Sequence, residues 1–423
     1  MIVRLLFSTA LFSWVFSCPA QDKYSQSSCF PSYKGLVMAG YQGWFNAPGD
    51  GSSMGWNHYG TSEGRFEPGY CKIDYWPEVS EYAKTYKTLF TTADGNPAYV
   101  FSSFDSQTTS THFEWMKNYG IDGVFLQRNL AAVKDPIQFN HANQVLKSVV
   151  SSSRRYHRAI AVMYDFSNLS EKNDDWLRII SDWKYLVDSL HIASGKAEEQ
   201  TYLFHHGKPL IGIWGVGFPD RPNNLKLTEK IIDFFKNDPV YGGCSVILGV
   251  PAFWRDLGRD CEKDPYLLEL IKKVDIVRPW FVGRFNEDSY AQFNTRLAPD
   301  ISWCKQNHLD YAPVVFPGFS WHNMHPEKAS AQIPRNRGKF YWKQLAGAIE
   351  EGAEMIYVAM FDEMDEGTAI FKMTNNPPAG LSKFEKFESG VPEDYYLFLT
   401  GFAARMLKKQ IPFQSDIPLL IRQ

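Results

Sequence analysis

Four carboxylates crowd five consecutive positions of this chain: Asp362, Glu363, Asp365 and Glu366. They follow an apolar, β-prone run, 355–361, and precede Gly367-Thr368, a turn signal. Acids at the end of a buried strand cost stability, because burial opposes ionisation and like charges repel. Acid–base chemistry needs that arrangement, since neighbouring carboxyls in different surroundings acquire different pKa values. Glu363 and Glu366 lie three residues apart. In extended chain that is at most roughly 10 Å between α-carbons, so both carboxyls can meet one sugar ring. Cleavage of a glycosidic bond uses such a pair, about 5–5.5 Å apart for ordinary retention and about 6.5–9.5 Å for inversion. The spacing leaves both open. It also leaves open a single working glutamate beside a hydroxyl-binding one, or a solvated acidic loop.

The rest of the chain must position these acids. Its 423 residues are 44% hydrophobic and 22% charged, a globular composition. A net charge of −3 with no basic block argues against a nucleic-acid partner. Apolar runs at 35–41, 121–127, 159–164, 209–214, 245–250, 274–280, 311–316 and 355–361 read as strands. Helical stretches at 110–119, 137–152, 174–193, 227–237, 264–273, 290–307, 338–352 and 394–409 separate or follow them. Strands alternating with helices imply a parallel sheet, and eight of them predict an α/β fold, a closed (β/α)8 TIM barrel, over residues 21–423 as one domain. The first loop, 46–92, is long, Gly-rich and holds Trp56, Asn57, His58, Tyr59 and Trp76. A loop this long is functional or disordered. Its aromatics argue for order and for a wall of the cleft.

In such a barrel the active site lies at the carboxyl ends of the strands. Those ends carry Tyr41, Gln42 and Trp44, then Gln127 and Arg128, then Asp165, Trp214 and Trp280. Phe319 and His322 follow the seventh run, and the acid cluster follows the eighth. Together they describe a polar, aromatic-walled cleft suited to an oligo- or polysaccharide. Glu363 and Glu366 are the catalytic candidates. Tyr41, Trp44, His58, Gln127, Arg128, Asp165, Trp214, Trp280, Phe319, His322 and Asp365 are the binding candidates. Both glutamates are expected to face one cleft, with Tyr41, Asp165 and His322 nearby. Arg128, permanently charged and planar, has two partners open to it: an anionic group on the substrate, or Asp165.

No cofactor and no metal is expected. Gly-x-Gly-x-x-Gly and the P-loop are absent from the sequence. His205 and His206 are adjacent, so on a strand they would point opposite ways, and they precede a strand rather than end one. At the N-terminus, Arg4, an apolar run 5–16 and Ser17-Cys18-Pro19-Ala20 have the layout of a secretory signal over residues 1–20. The run is too short to span a membrane. Export to a periplasmic, cell-surface or extracellular location is expected. Cleavage after Ala20 gives a soluble product, whereas the lipobox-like Val15-Phe16-Ser17-Cys18 would place a lipid on Cys18, the one route to a membrane. Five further cysteines leave at least one unpaired. Cys29–Cys71 and Cys244–Cys261 bridges are open to an oxidised chain, as is a buried free thiol at Cys244.

The segment Glu363-Met364-Asp365-Glu366-Gly367-Thr368 resembles the Glu-x-x-Glu-Gly-Thr/Ser motif of the glycoside hydrolase family 99/71-like superfamily, the endo-α-mannosidase and α-1,3-glucanase relatives. Phe101-Ser102-Ser103, Gly120-Ile121-Asp122-Gly123-Val124 and Phe316-Pro317-Gly318-Phe319 resemble further stretches of those proteins in the same order. The resemblance covers most of residues 30–410. It implies a (β/α)8 glycoside hydrolase acting on an α-linked glycan. Glu366 would protonate the leaving oxygen. Glu363 would deprotonate the sugar 2-hydroxyl, giving a 1,2-anhydro intermediate and net retention. Two alternatives stand beside it, an inverting α-glucanase and a non-catalytic glycan-binding barrel. Two departures matter: Met364-Asp365 stands where family 99 has Trp-His, and Gln127-Arg128 where it has Trp-Trp. The subsite they line is therefore rebuilt, and mannose specificity does not carry over.

Overall fold

A computed structural model describes residues 23–170, 174–221 and 225–419. Residues 1–20, expected to be a secretory signal, and Cys18 within them lie outside the described residues. The strands are β1 Val37–Tyr41, β2 Gly123–Asn129, β3 Ala159–Asp165, β4 Lys208–Trp214, β5 Ser245–Pro251 and β6 Ile276–Trp280, then β7 in two pieces, Asp310–Tyr311 and Val314–Val315, and β8 Ile356–Val358. β1 to β6 lie side by side in chain order, all parallel, and β1 also pairs with β8. The first piece of β7 bonds β6 and the second bonds β8, which closes the ring. Pro313 sits at the break in β7. It has no N–H for a ladder, but its carbonyl accepts from Tyr357 at 3.0 Å. The TIM barrel expected from the alternating pattern is therefore present.

Helices cover the outside, from Ser106–Tyr119 and Pro136–Tyr156 after the first two strands to Tyr395–Leu407 at the end. The single helix expected over 290–307 is two, Glu287–Asn294 and Leu297–Gln306. Pro299 explains the break. Inside one helix its ring would strike the carbonyl of Thr295, whereas in the first turn of a second helix it is tolerated.

The long first loop is ordered around a core of its own. Phe66 packs on Trp56, Tyr59, Trp76 and Phe90 at centroid distances of 5.0, 5.2, 5.7 and 4.9 Å. The loop ends in an antiparallel hairpin, Tyr86–Thr91 with Pro97–Val100, which the sequence reading did not anticipate. No cysteine is bridged among the described residues, so neither suggested disulfide forms. Cys244 is a buried thiol that donates to the Tyr24 hydroxyl oxygen at 3.6 Å.

Inside the barrel, size alternates. Gly40 on β1 leaves room for β8, where a Cβ on it would lie 2.2 Å from the Tyr357 hydroxyl. Gly249 on β5 similarly makes way for Arg278 of β6 and Trp214 of β4. Arg278 is 1% exposed and lies 4.3 Å over the Tyr357 ring. Burial lowers its pKa from the usual arginine value.

Candidate active site

Strand alternation decides which residues reach the cleft. With Gly40 facing into the barrel, Gln42 faces in and Tyr41 faces out. The Tyr41 hydroxyl lies 2.8 Å from His112 Nδ1 on the first helix, and its ring is fully buried. Tyr41 is therefore a packing residue behind β1, which corrects its placement at the mouth. The same rule separates Gln127 from Arg128. Gln127 lines the cavity at the barrel mouth, with Gln42, Trp44, His58 and Asp165. Arg128 points into the helix layer. Its Nε and Nη2 donate to the Asp182 carboxylate at 2.6 Å each, and Nη2 also donates to Asn143 Oδ1 at 2.9 Å. Both proposed partners of Arg128, a substrate anion and Asp165, are thus replaced by Asp182.

The acid segment folds back on itself after β8. The amides of Thr368 and Ala369 donate to the Glu363 carbonyl at 3.1 and 2.9 Å. Gly367 makes the turn with φ 64°, and a Cβ there would meet the Ser320 backbone at 2.8 Å. Arg335, 4% exposed, donates to the carbonyls of Gly367 and Ala369 at 2.8 and 2.7 Å and stacks on Tyr75 and Tyr396. These contacts aim the four carboxylates differently. Asp362 accepts from the amides of Gln42 and Gly43 at 2.8 Å each, pinning the end of β1 to the end of β8. Glu363 accepts from Gln42 Nε2 at 2.9 Å and from the Thr368 hydroxyl at 2.8 Å. Asp365 meets His58 Nδ1 at 2.7 Å. Glu366 is partly exposed, and its carbonyl accepts from Ser320 at 3.0 Å.

Burial drives all the resolved shifts upward. Glu363 is held well above the usual carboxylate range by burial, then by Glu366 and Asp365, against its hydrogen bonds from Thr368 and Gln42. Burial and Asp365 push Glu366 up to about 7, with Arg221 opposing. Asp362 is also pushed up to about 7 by burial, against its backbone amide donors. Asp165 is raised by burial, while bonds from Ser167 and the charge of Arg221 oppose.

The remaining candidates fall into two groups. Trp214 and Trp280 meet edge to face at 5.2 Å. Arg221 lies 4.5 Å over the Trp214 ring and donates to the Ser167 hydroxyl, which in turn donates to Asp165. Phe319 and His322 belong to the rim after β7. Phe319 is partly exposed and packs on Trp321. His322 is turned into its own loop, with its amide on Asp74 at 2.7 Å and Nδ1 at 2.5 Å from the Lys328 carbonyl.

Gln42, Thr368, Arg221 and Arg335 were not among the sequence candidates. Only Gln42 carried a signal, a polar residue two positions beyond an inward glycine. Arg221 and Arg335 reach the site from loops whose paths the sequence does not state.

One group of donors among the described residues could hold a metal ion: His205, His206 and Asp310. It lies at the amino ends of β4 and β7, away from the acids. The adjacent histidines do not point apart, because His206 has left the strand with φ 50°, and the two rings lie 4.0 Å apart. Asp310 is already paired with Lys34 Nζ at 2.8 Å and His205 Nε2 at 2.9 Å.

No family model matches the chain. It is 22% identical over 411 residues to glycoprotein endo-alpha-1,2-mannosidase of Mus musculus, covering 94% of this chain and 80% of that protein. The Rattus norvegicus protein of the same name is also 22% identical, with 81% and 69% covered. Among solved structures, the GH99 endo-alpha-mannosidase from Bacteroides thetaiotaomicron superimposes with a TM-score of 0.63 at 16% identity, over 89% of this chain and 98% of that one. These sequence relatives and this structural neighbour are glycoside hydrolases. In sequence over most of its length, and in fold, the chain is similar to the family 99 endo-α-mannosidases.

Proposed function

We propose that the chain is an exported glycoside hydrolase that cleaves an α-linked glycan with Glu366 as acid and Glu363 as base. The supporting observation is that both glutamates follow β8, repel one another and are raised by burial, while Gln42 and Thr368 hold Glu363 in place. A carboxyl near 7 is half protonated at neutral pH, which suits a general acid. The high value of Glu363 makes it a strong base once ionised. In the free protein burial favours the proton on Glu363. The reactive arrangement has it on Glu366, and the repulsion between the two couples their titrations. A sugar hydroxyl donating to Glu363 stabilises its ionised form and so moves the pair toward that arrangement. Attack by the 2-hydroxyl gives a 1,2-anhydro sugar that water then opens with net retention, the course implied by the resemblance to family 99; direct attack by water on the same two carboxyls is the inverting alternative. The endo-α-mannosidase relatives supply the α linkage. The sugar itself is left to the subsite around Gln127, where this chain departs from the family motif. Export rests on the N-terminal sequence pattern.

The test is hydrolysis of α-linked oligosaccharides by the protein and its Glu366→Gln variant. The variant should lose most activity on natural glycans, whose leaving groups need protonation, and much less on activated aryl glycosides. Equal losses on both would remove the acid role. Glycan binding without turnover by the wild type would leave the non-catalytic reading.

A further inference from the structure

His58 and His112 show two ways for this fold to use an imidazole. His112 is fully buried, with Nδ1 2.8 Å from the Tyr41 hydroxyl and Nε2 2.6 Å from the Tyr82 hydroxyl. Both nitrogens are satisfied inside the protein, as in a packing residue. His58 is satisfied on one side only. Nδ1 lies 2.7 Å from Asp365 Oδ2, and Asp365 is 3% exposed. The ring lies flat on Trp44, with centroids 3.8 Å apart and planes 4° from parallel. Its side chain is 29% exposed on the cavity wall beside Gln42 and Gln127. Nε2 makes no hydrogen bond to any described residue. The backbone of His58 is left-handed, φ 61°, which is uncommon for a residue with a side chain.

We infer that His58 is a substrate-contacting residue whose Nε2 takes a hydroxyl of the sugar seated beside Gln42, with Asp365 and Trp44 as its positioning residues. The inference rests on the glycoside hydrolase reading. The ring has little freedom left, since Trp44 fixes its plane and Asp365 its rotation. With Nδ1–H donating to Asp365, a neutral ring presents a lone pair at Nε2 and a charged ring presents a proton. A sugar hydroxyl, both donor and acceptor, satisfies either state. The same contact explains why Asp365 lies between the two working glutamates without its own bond to either: its Oδ2 is committed to His58. It also removes one face of Trp44 from direct stacking on sugar, because the imidazole covers it. Recognition on this wall then runs through the histidine.

The experiment compares wild type, His58→Ala, Asp365→Asn and the double variant on an α-linked oligosaccharide that the wild type cleaves. His58→Ala should lower kcat/KM about 10- to 100-fold, the cost of one hydrogen bond to a well-placed polar group, with most of the loss in KM. Free imidazole should restore part of it by filling the space against Trp44. Asp365→Asn should show a similar rise in KM, and the double variant should be little worse than the poorer single one, since both remove one unit. Asn tolerates left-handed backbone, so His58→Asn replaces His58→Ala if the latter does not fold. Unchanged KM in folded His58 variants, or losses that track the unfolded fraction and ignore imidazole, would overturn the inference. If the wild type cleaves no member of the panel, the catalytic reading fails separately. Calorimetric binding of the same oligosaccharides by wild type and the His58→Asn variant then decides, and equal affinities overturn the role of His58.

Discussion

Replacing Glu366 by Gln should stabilise this protein at pH 8 and change little at pH 4.5 or below. Folding carries the Glu366 carboxyl from an ordinary value of 4.5 to about 7. Between those values the folded chain holds a proton that the unfolded chain has lost, so unfolding becomes easier as pH rises. Above 7 both states are ionised and the penalty is complete. Below 4.5 both are protonated and it vanishes. Each pH unit of displacement corresponds to about 1.4 kcal/mol, which sets a ceiling of about 3 kcal/mol. Glu366 is partly exposed and faces Arg221, so solvent screening trims this to roughly 1–2 kcal/mol. Gln fills the same space and cannot ionise. It also relieves the repulsion that Glu366 imposes on Glu363, which acts in the same direction. Urea denaturation at pH 4.5, 6 and 8 measures the difference. The gain should open between pH 4.5 and 7 and then level off. A variant no more stable than wild type at pH 8, or equally stabilised at pH 4.5, would refute an acid of raised pKa at this position.

Three other expectations follow from particular contacts. Arg128→Ala strands the buried Asp182 carboxylate and should cost about 3–5 kcal/mol in a denaturant melt, while KM for neutral and acidic glycans stays alike in the folded fraction. Gln42→Ala removes the amide that holds Glu363 Oε1 and should lower kcat by roughly tenfold, worth about 1.4 kcal/mol, with KM little changed in steady-state assays. Gly40→Ala forces a methyl against Tyr357 and Met360 and should lower the urea midpoint by an amount equivalent to about 1–3 kcal/mol.

The eight barrel strands and most of their helices were legible in the sequence, because each strand is a short apolar run and each helix fills the gap to the next. The acid cluster was legible for the same reason: four carboxylates after a buried run have few purely structural explanations. Two candidates were misplaced by neglecting alternation. Tyr41 and Arg128 each neighbour an inward residue, so the pleat turns them outward, and a polar or aromatic side chain at a strand end is not thereby in the cleft. The broken helix at 290–307 was readable from Pro299. Other features depended on chain paths that no local pattern encodes. The pairing of His58 with Asp365 spans 307 residues, and that of Arg128 with Asp182 spans 54. The convergence of His205 and His206 depended on one residue adopting a left-handed backbone. Residue type and period two or 3.6 determine which elements form and which face they bury. Which polar group meets which depends on how loops cross the barrel mouth, and there hydrogen-bond demand in a buried, low-dielectric space selects the partner.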